Sequence, residues 1–251
     1  MRDSALSRCG IFFSKDALMI LRKHIYQWGI LFIVGCLPLF ADSYSGAHDD
    51  EAMIVRAPVW VFLEPQPGVM TQDEQGKKLP PRKALTEVSK MLMEGMTFGW
   101  RFSYTPSDAR RHVVEEFTLT PVHTIDLDDG RLTITELKPR YPYLYCWTEY
   151  RITDAMAMRK REWTRANYIT AKGSGSAARV KETEGIKDAY MEAARSAIRG
   201  YLKKNEKNKP QYVSGEMLIK DNPRLYAAGG AFKAELTVYL YIKEIIPYSV
   251  F

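Results

Sequence analysis

Past the first 41 residues the chain holds three histidines, His48, His112 and His123, and one cysteine, Cys146. These are the side chains best able to bind a metal or attack a substrate, so their spacing is read first. His48 sits among Asp49, Asp50 and Glu51 in a polar stretch, where a solvated tail is the simplest reading. His112 precedes Glu115 and Glu116, but an H-x-x-E-H zinc signature needs histidine at 116. His123 has no adjacent partner. Scattered histidines and one thiol give no zinc spacing, and no metal or other cofactor is expected. Asp126, Asp128, Asp129, Gly130 and Glu136 suggest a calcium loop, yet Gly130 at the sixth position puts Ile125 and Leu127 where acids belong. Asp128-Asp129-Gly130 reads instead as a hairpin turn. Cys146, within Tyr143-Leu-Tyr-Cys-Trp-Thr-Glu-Tyr150, reads as a buried strand cysteine, since a nucleophile needs exposure and a basic partner. Gly173-Ser174-Gly175-Ser176-Ala177 is not a G-x-S-x-G elbow, because Ala177 stands where the last glycine belongs. No spacing specifies a reaction. A hydrolase built on dispersed carboxylates stays open, because such sites leave no local motif.

Two other groups are candidates for binding. Trp100, Phe102 and Tyr104 alternate along one segment, and Tyr143, Tyr145 and Trp147 along another. Together they would line a curved sheet able to enclose an amphiphile, and core packing explains them equally well. Arg159, Lys160 and Arg161, with Trp163 and Arg165, form the densest basic cluster. It reads either as a solvated strand end or as a face for anionic lipid, glycan or another protein. The net charge of +6 does not point to nucleic acid. Residues 1–41 hold five Lys/Arg and two acids, so half of that charge lies there and only +3 is spread over residues 42–251.

The elements that would position these residues follow from hydrophobic period. A strand is expected from about 53 to 64, with Pro58 marking an edge or bulge. A loop covers 65–78. Pro80 and Pro81 open a helix whose stripe is Leu85, Val88, Leu92 and Met96, ended by Gly95 and Gly99. Strands are expected at 100–105, over Val113–Leu127 with a break near Pro121, at Leu132 and Ile134, over Tyr143–Ile152 and over Glu162–Ala171. Gly173 to Ser176 breaks the pattern. Ile186, Tyr190, Ala193, Ala197 and Ile198 then line one face of a helix from about Glu182 to Lys204. Tyr212–Ile219 is a further strand, and strict alternation from Phe232 to Ile242 gives a half-buried antiparallel one. Few helices among many alternating strands imply an α+β fold: mainly antiparallel sheet with two packed amphipathic helices, in residues 53–251, divided at 140/141 if it has two subdomains.

Residues 1–41 read as a targeting segment. Arg22, Lys23 and His24 precede an apolar run from Ile30 to Ala41, and a polar tether, residues 42–52, follows. The run is short for a membrane span, which needs about 20 apolar residues. Cleavage after Ala41 is expected, and Met19 would give a start of conventional length. Ile33-Val34-Gly35-Cys36 offers lipidation at Cys36 as the alternative, and an uncleaved anchor is the third. The compartment expected is the periplasm or outer envelope surface.

Residues 164–243 run as a strand ending Ala171-Lys172-Gly173-Ser174-Gly175, an alanine-rich helix (Ala189, Ala193, Ala194, Ala197), Tyr212-Val213-Ser214-Gly215, and the Phe232–Ile242 strand. This order resembles the small strand–helix–strand–strand module of the flagellar assembly T N-terminal domain and the related LPP20 lipoproteins. The resemblance implies a mostly non-catalytic, exported, envelope- or flagellum-associated role. The function expected is therefore protein–protein contact in the cell envelope, with a lipid or amphiphile carrier as the alternative. The partners expected are envelope proteins or an amphiphilic ligand, no nucleic acid, and membrane only through an N-terminal anchor or lipid.

Overall fold

The structure is a computed structural model that describes residues 53–64, 79–165 and 168–248. The targeting segment with Cys36 and Ala41, the tether with His48, and the 65–78 loop lie outside the described residues. The fold is α+β, with two antiparallel sheets and three α-helices among the described residues. In chain order the elements are β1 (Ile54–Phe62), α1 (Pro81–Thr97), β2 (Trp100–Thr105), β3 (Glu116–Pro121), β4 (Leu132–Arg140), β5 (Tyr143–Arg151), α2 (Asp154–Arg165), β6 (Ile169–Ala178), α3 (Glu182–Asn205), β7 (Tyr212–Ile219), β8 (Arg224–Ala228) and β9 (Ala231–Ile246).

The smaller sheet has the order β1-β5-β4 and the larger the order β3-β2-β7-β9-β6, with β8 paired to β9. Pro58 lies on β1, an edge strand, where a missing ladder donor is tolerated. Strict alternation gives the small sheet one buried face. Val55, Ala57, Val59 and Val61 pair across from Tyr150, Thr148, Cys146 and Leu144. Helix α1 covers that face with Leu85, Val88, Leu92 and Met96, and Ser89 bonds Thr148 at 2.6 Å within the contact. Each fully buried aliphatic side chain of this kind contributes about 1.5–3 kcal/mol.

Helix α3 packs on β6 and β9. Here the strand side chains have been reduced to hydrogen. A Cβ at Gly173 would lie 2.0 Å from the Ala193 carbonyl oxygen, and one at Gly175 would lie 2.2 Å from that of Ala189. Gly173 and Gly175 thus let helix backbone rest on strand backbone, and Ala189, Ala193 and Ala197 complete the contact.

Several expected elements differ. The Gly173–Ser176 stretch lies inside β6 rather than breaking a strand, because its glycines serve close packing. Residues Asp154–Arg165 are helix, so the strand expected from Glu162 starts only at Ile169. Gly95 lies within α1, and Gly99, at φ +84°, follows its end. The long strand expected from Val113 to Leu127 is reduced to Glu116–Pro121. Val113 makes a lone bridge to Asp108, Ile125 is buried from a loop and Leu127 is half-exposed. Asp128-Asp129-Gly130 is a turn but not a hairpin, since β3 and β4 belong to different sheets. Position 140/141 lies between β4 and β5, which pair directly. Among the described residues no helix is long and apolar enough to cross a membrane.

Candidate functional site

The two aromatic trios have separate fates. Trp100, Phe102 and Tyr104 are 2–3% exposed on β2 and belong to the core of the larger sheet. Tyr143, Tyr145 and Trp147 lie on β5, at the centre of the smaller sheet, on the face that α1 does not cover. The structure does not bring the six into one lining.

The outer face of the small sheet gathers rings that sequence spacing alone did not join. On β1 the residues opposite in parity to the buried valines are Arg56, Pro58, Trp60 and Phe62, and their β5 partners are Glu149, Trp147, Tyr145 and Tyr143. Trp60 meets Tyr143 edge-on with centroids 4.8 Å apart and lies 6.3 Å from Tyr145. Phe62 closes the inner end against Phe232 of β9 at 5.8 Å. Such ring pairs add about 0.5–1.5 kcal/mol beyond burial and hold each ring in a fixed orientation. The Trp60 indole N–H donates to the Leu225 carbonyl at 3.1 Å, which fixes it against β8. Moving outward the rings become wet: Tyr145 is 37% exposed, and Trp147 is half-buried.

The polar groups of this face are paired with one another. The Arg56 guanidinium lies 4.2 Å over the Trp147 ring and bonds Glu149 Oε1 at 3.0 Å and Glu136 Oε1 at 2.5 Å. Lys138 reaches the other Glu136 oxygen at 2.9 Å. Lys138, and then Arg56, hold the Glu136 carboxyl below its ordinary range. Beside the rings an open groove of about 360 Å³ runs between β1 and β8, lined by Pro58, Trp60, Pro223, Leu225, Tyr226 and the Arg224–Glu235 pair. Parity was the available signal for this face, since Trp60 and Tyr145 alternate with buried neighbours; which side of the sheet stays wet depends on where α1 packs.

Arg159, Lys160, Arg161 and Arg165 are carried by helix α2 and not by a strand. Desolvation lowers the pKa of the half-buried Lys160. Cys146 is buried, with its thiol pushed up by burial and its sulfur 3.9 Å from Thr148 Oγ1. The His123 ring meets Phe98 at a steep tilt with centroids 4.6 Å apart, and His112 occupies a left-handed turn at φ 55°. Among the described residues no three metal-ligating side chains cluster. Glu94, 5% exposed, accepts the Ile125 N–H at 2.9 Å and so ties down the 122–127 loop. Glu115 and Glu192 approach each other near α3, but Arg195 and Arg199 bond both. Tyr104 also donates to Glu115 at 2.6 Å. Desolvation, which raises the Glu115 carboxyl, is outweighed by the hydrogen bonds from Arg199 and Tyr104, which hold it below its ordinary range.

Comparison with known proteins gives two relationships. A protein-family model matches residues 43–248. An uncharacterised protein of Treponema pallidum (strain Nichols) is 37% identical over 211 residues, covering 84% of this chain and 89% of the relative. No solved structure matches.

Proposed function

The chain belongs to the family whose model spans residues 43–248 and shares it with the Treponema pallidum relative; from that premise we propose that it is a non-catalytic exported envelope protein acting through contact with another envelope protein. The observation that carries the reading is the open aromatic face of the small sheet. Trp60, Tyr145 and Trp147 with Arg56 are the residue types that dominate binding energy at protein interfaces. Their rings are fixed by neighbours, so binding orders few side chains. The charged members of the face are already neutralised, which suits them to complementarity more than to proton transfer.

Export is supported by the apolar run ending at Ala41 and by a family match that begins at residue 43, just beyond it. The β6–α3–β7–β9 order, with β8 inserted before β9, supports the resemblance to the flagellar assembly T module, and so a surface or flagellum-associated assembly.

Crosslinking in intact cells followed by capture tests the reading. The native chain is expected to recover a discrete envelope partner, and the Trp147→Ala plus Tyr145→Ala variant to lose it while remaining folded. Capture unchanged by that variant would refute the assignment of the face. The mass of the native N-terminus tests export: it is expected to begin after Ala41 or at a lipidated Cys36, and a cytosolic chain retaining the whole segment would overturn the compartment.

A second reading has its own observation. The groove of about 360 Å³ beside Trp60 is at the small end of the range for ligand pockets, and it would suit one amphiphilic molecule, with its polar end at Arg224 and Glu235. Native mass spectrometry of the purified chain would show an added mass if this holds.

A further inference from the structure

Helix α2 contributes little to the core, since Ala157 is its one buried residue. A twelve-residue helix is marginal in water without tertiary packing, so what covers its outer side matters. That side carries Met158, 59% exposed, together with Arg159, Arg161 and Arg165. With Arg151 and Lys160 the segment holds five cations against Asp154 and Glu162, and no described acid pairs with any of the five. Apolar and aromatic side chains flank them. The Arg161 guanidinium lies 3.5 Å from the Met53 sulfur, and Met53 and Ile54 are 45% and 52% exposed. Toward the other end Trp163 stacks on Tyr168 at 4.6 Å, and Tyr168 meets Tyr241, 46% exposed, at 5.7 Å.

This combination has a physical match. Guanidinium groups pair with lipid phosphates, indole and phenol rings settle at the headgroup level, and exposed methionine and isoleucine reach the acyl boundary. The connectivity agrees. Met53, in contact with α2, is where the described chain begins, and residues 42–52 separate it from the apolar run. Eleven extended residues reach at most about 40 Å, and the sixteen that follow Cys36 at most about 58 Å, so a retained or lipidated run would keep α2 within that reach of the bilayer that holds it.

We propose that the outer face of α2, formed by Arg159, Arg161 and Arg165 with Met158 and bordered by Met53, rests on a bilayer surface rich in anionic lipid, with Trp163 and Tyr241 at its margin. The proposal rests on the export reading for its choice of membrane, but not on the protein partner. The full chain is reconstituted in vesicles of phosphatidylcholine alone and of phosphatidylcholine mixed with phosphatidylglycerol, and amide hydrogen exchange is followed. The α2 amides are expected to exchange several-fold more slowly in the anionic vesicles, with the protection relieved at high salt. Arg159→Glu with Arg161→Glu and Arg165→Glu should abolish the difference. The α3 amides should exchange alike in every sample, as the control for folding. Equal exchange of α2 in both vesicles, or protection that survives the charge reversal, would overturn the proposal. Lipid-dependent protection in a chain that captures no protein partner would support it and refute only the partner reading.

Discussion

Gly173→Ala is the most demanding test of how the larger sheet is held. The added Cβ would lie 2.0 Å from the Ala193 oxygen and 2.5 Å from the Ala197 nitrogen, both backbone atoms of α3 that no rotamer change can move. Contacts of carbon with backbone oxygen below about 3 Å are not tolerated, so α3 must back away by about 1 Å or more. That displacement opens the contact along Ala189, Ala193 and Ala197, all with no exposed surface in the native fold. Overpacking a core by one methyl costs about 1–3 kcal/mol, and an immovable obstacle puts this case at about 3 or above. For a domain of this size the midpoint temperature should fall by about 6–12 °C. Urea unfolding followed by circular dichroism measures the change. Gly200→Ala is the internal control: it sits in α3 with nothing within 4 Å of its added Cβ, so it should stabilise by about 0.5–1 kcal/mol. A Gly173→Ala chain within about 0.5 kcal/mol of the native one would refute the backbone-on-backbone account.

Three further outcomes are expected. Hydrogen bonds from Arg131 lower the Asp129 carboxyl from 3.8 to about 2; the shift corresponds to about 2 kcal/mol at most, and the 41%-exposed guanidinium reduces it to about 1. That stability is present above pH of about 4 and is lost as the pH falls toward 2, so native and Asp129→Asn chains should differ at pH 7 and converge in acid unfolding curves. Burial raises the Glu94 pKa, so its ionised form destabilises the fold above the unfolded-state value; Glu94→Gln keeps the acceptor for Ile125 and should stabilise at pH 7, with the gain vanishing below about pH 4 in paired urea titrations. Cys146, buried with a raised thiol pKa, should be alkylated only through unfolding, and a peptide map showing its adduct faster than global unfolding would contradict that burial.

Alternation made β9 legible in the sequence, because it has a wet face and a dry one, and β1 was legible as a β-branched and aromatic run. The stripes of α1 and α3 were legible for the same reason at helical period. Helix α2 gave no such signal, since a helix burying Ala157 alone has no apolar stripe to read. Strand β6 was obscured by its own packing device: glycines that admit the α3 backbone remove the side chains by which a strand is recognised. Ile125 shared parity with Phe117 and Leu119 by coincidence, being buried through a loop that Glu94 ties down, and no local pattern encodes a bond between residues 31 apart in sequence. Which sheet each strand joins was likewise hidden, as β3 and β4 show.

The aromatic trios show the same limit at the site. Trp100, Phe102 and Tyr104 alternate as regularly as Tyr143, Tyr145 and Trp147, yet the first set is core and the second reaches solvent. The difference lies in the cover each sheet receives, because α1 shields one side of β1 and β5 while Tyr145 and Trp147, on the other side, keep part of their surface exposed. Strand β1 connects the two surfaces of interest: its entry at Met53 touches α2, and Trp60 lies seven residues further along. At about 3.3 Å per residue that separates them by about 23 Å. The α2 surface and the rings of the small sheet are therefore separate stretches of one strand, and a substitution in one leaves the side chains of the other in place.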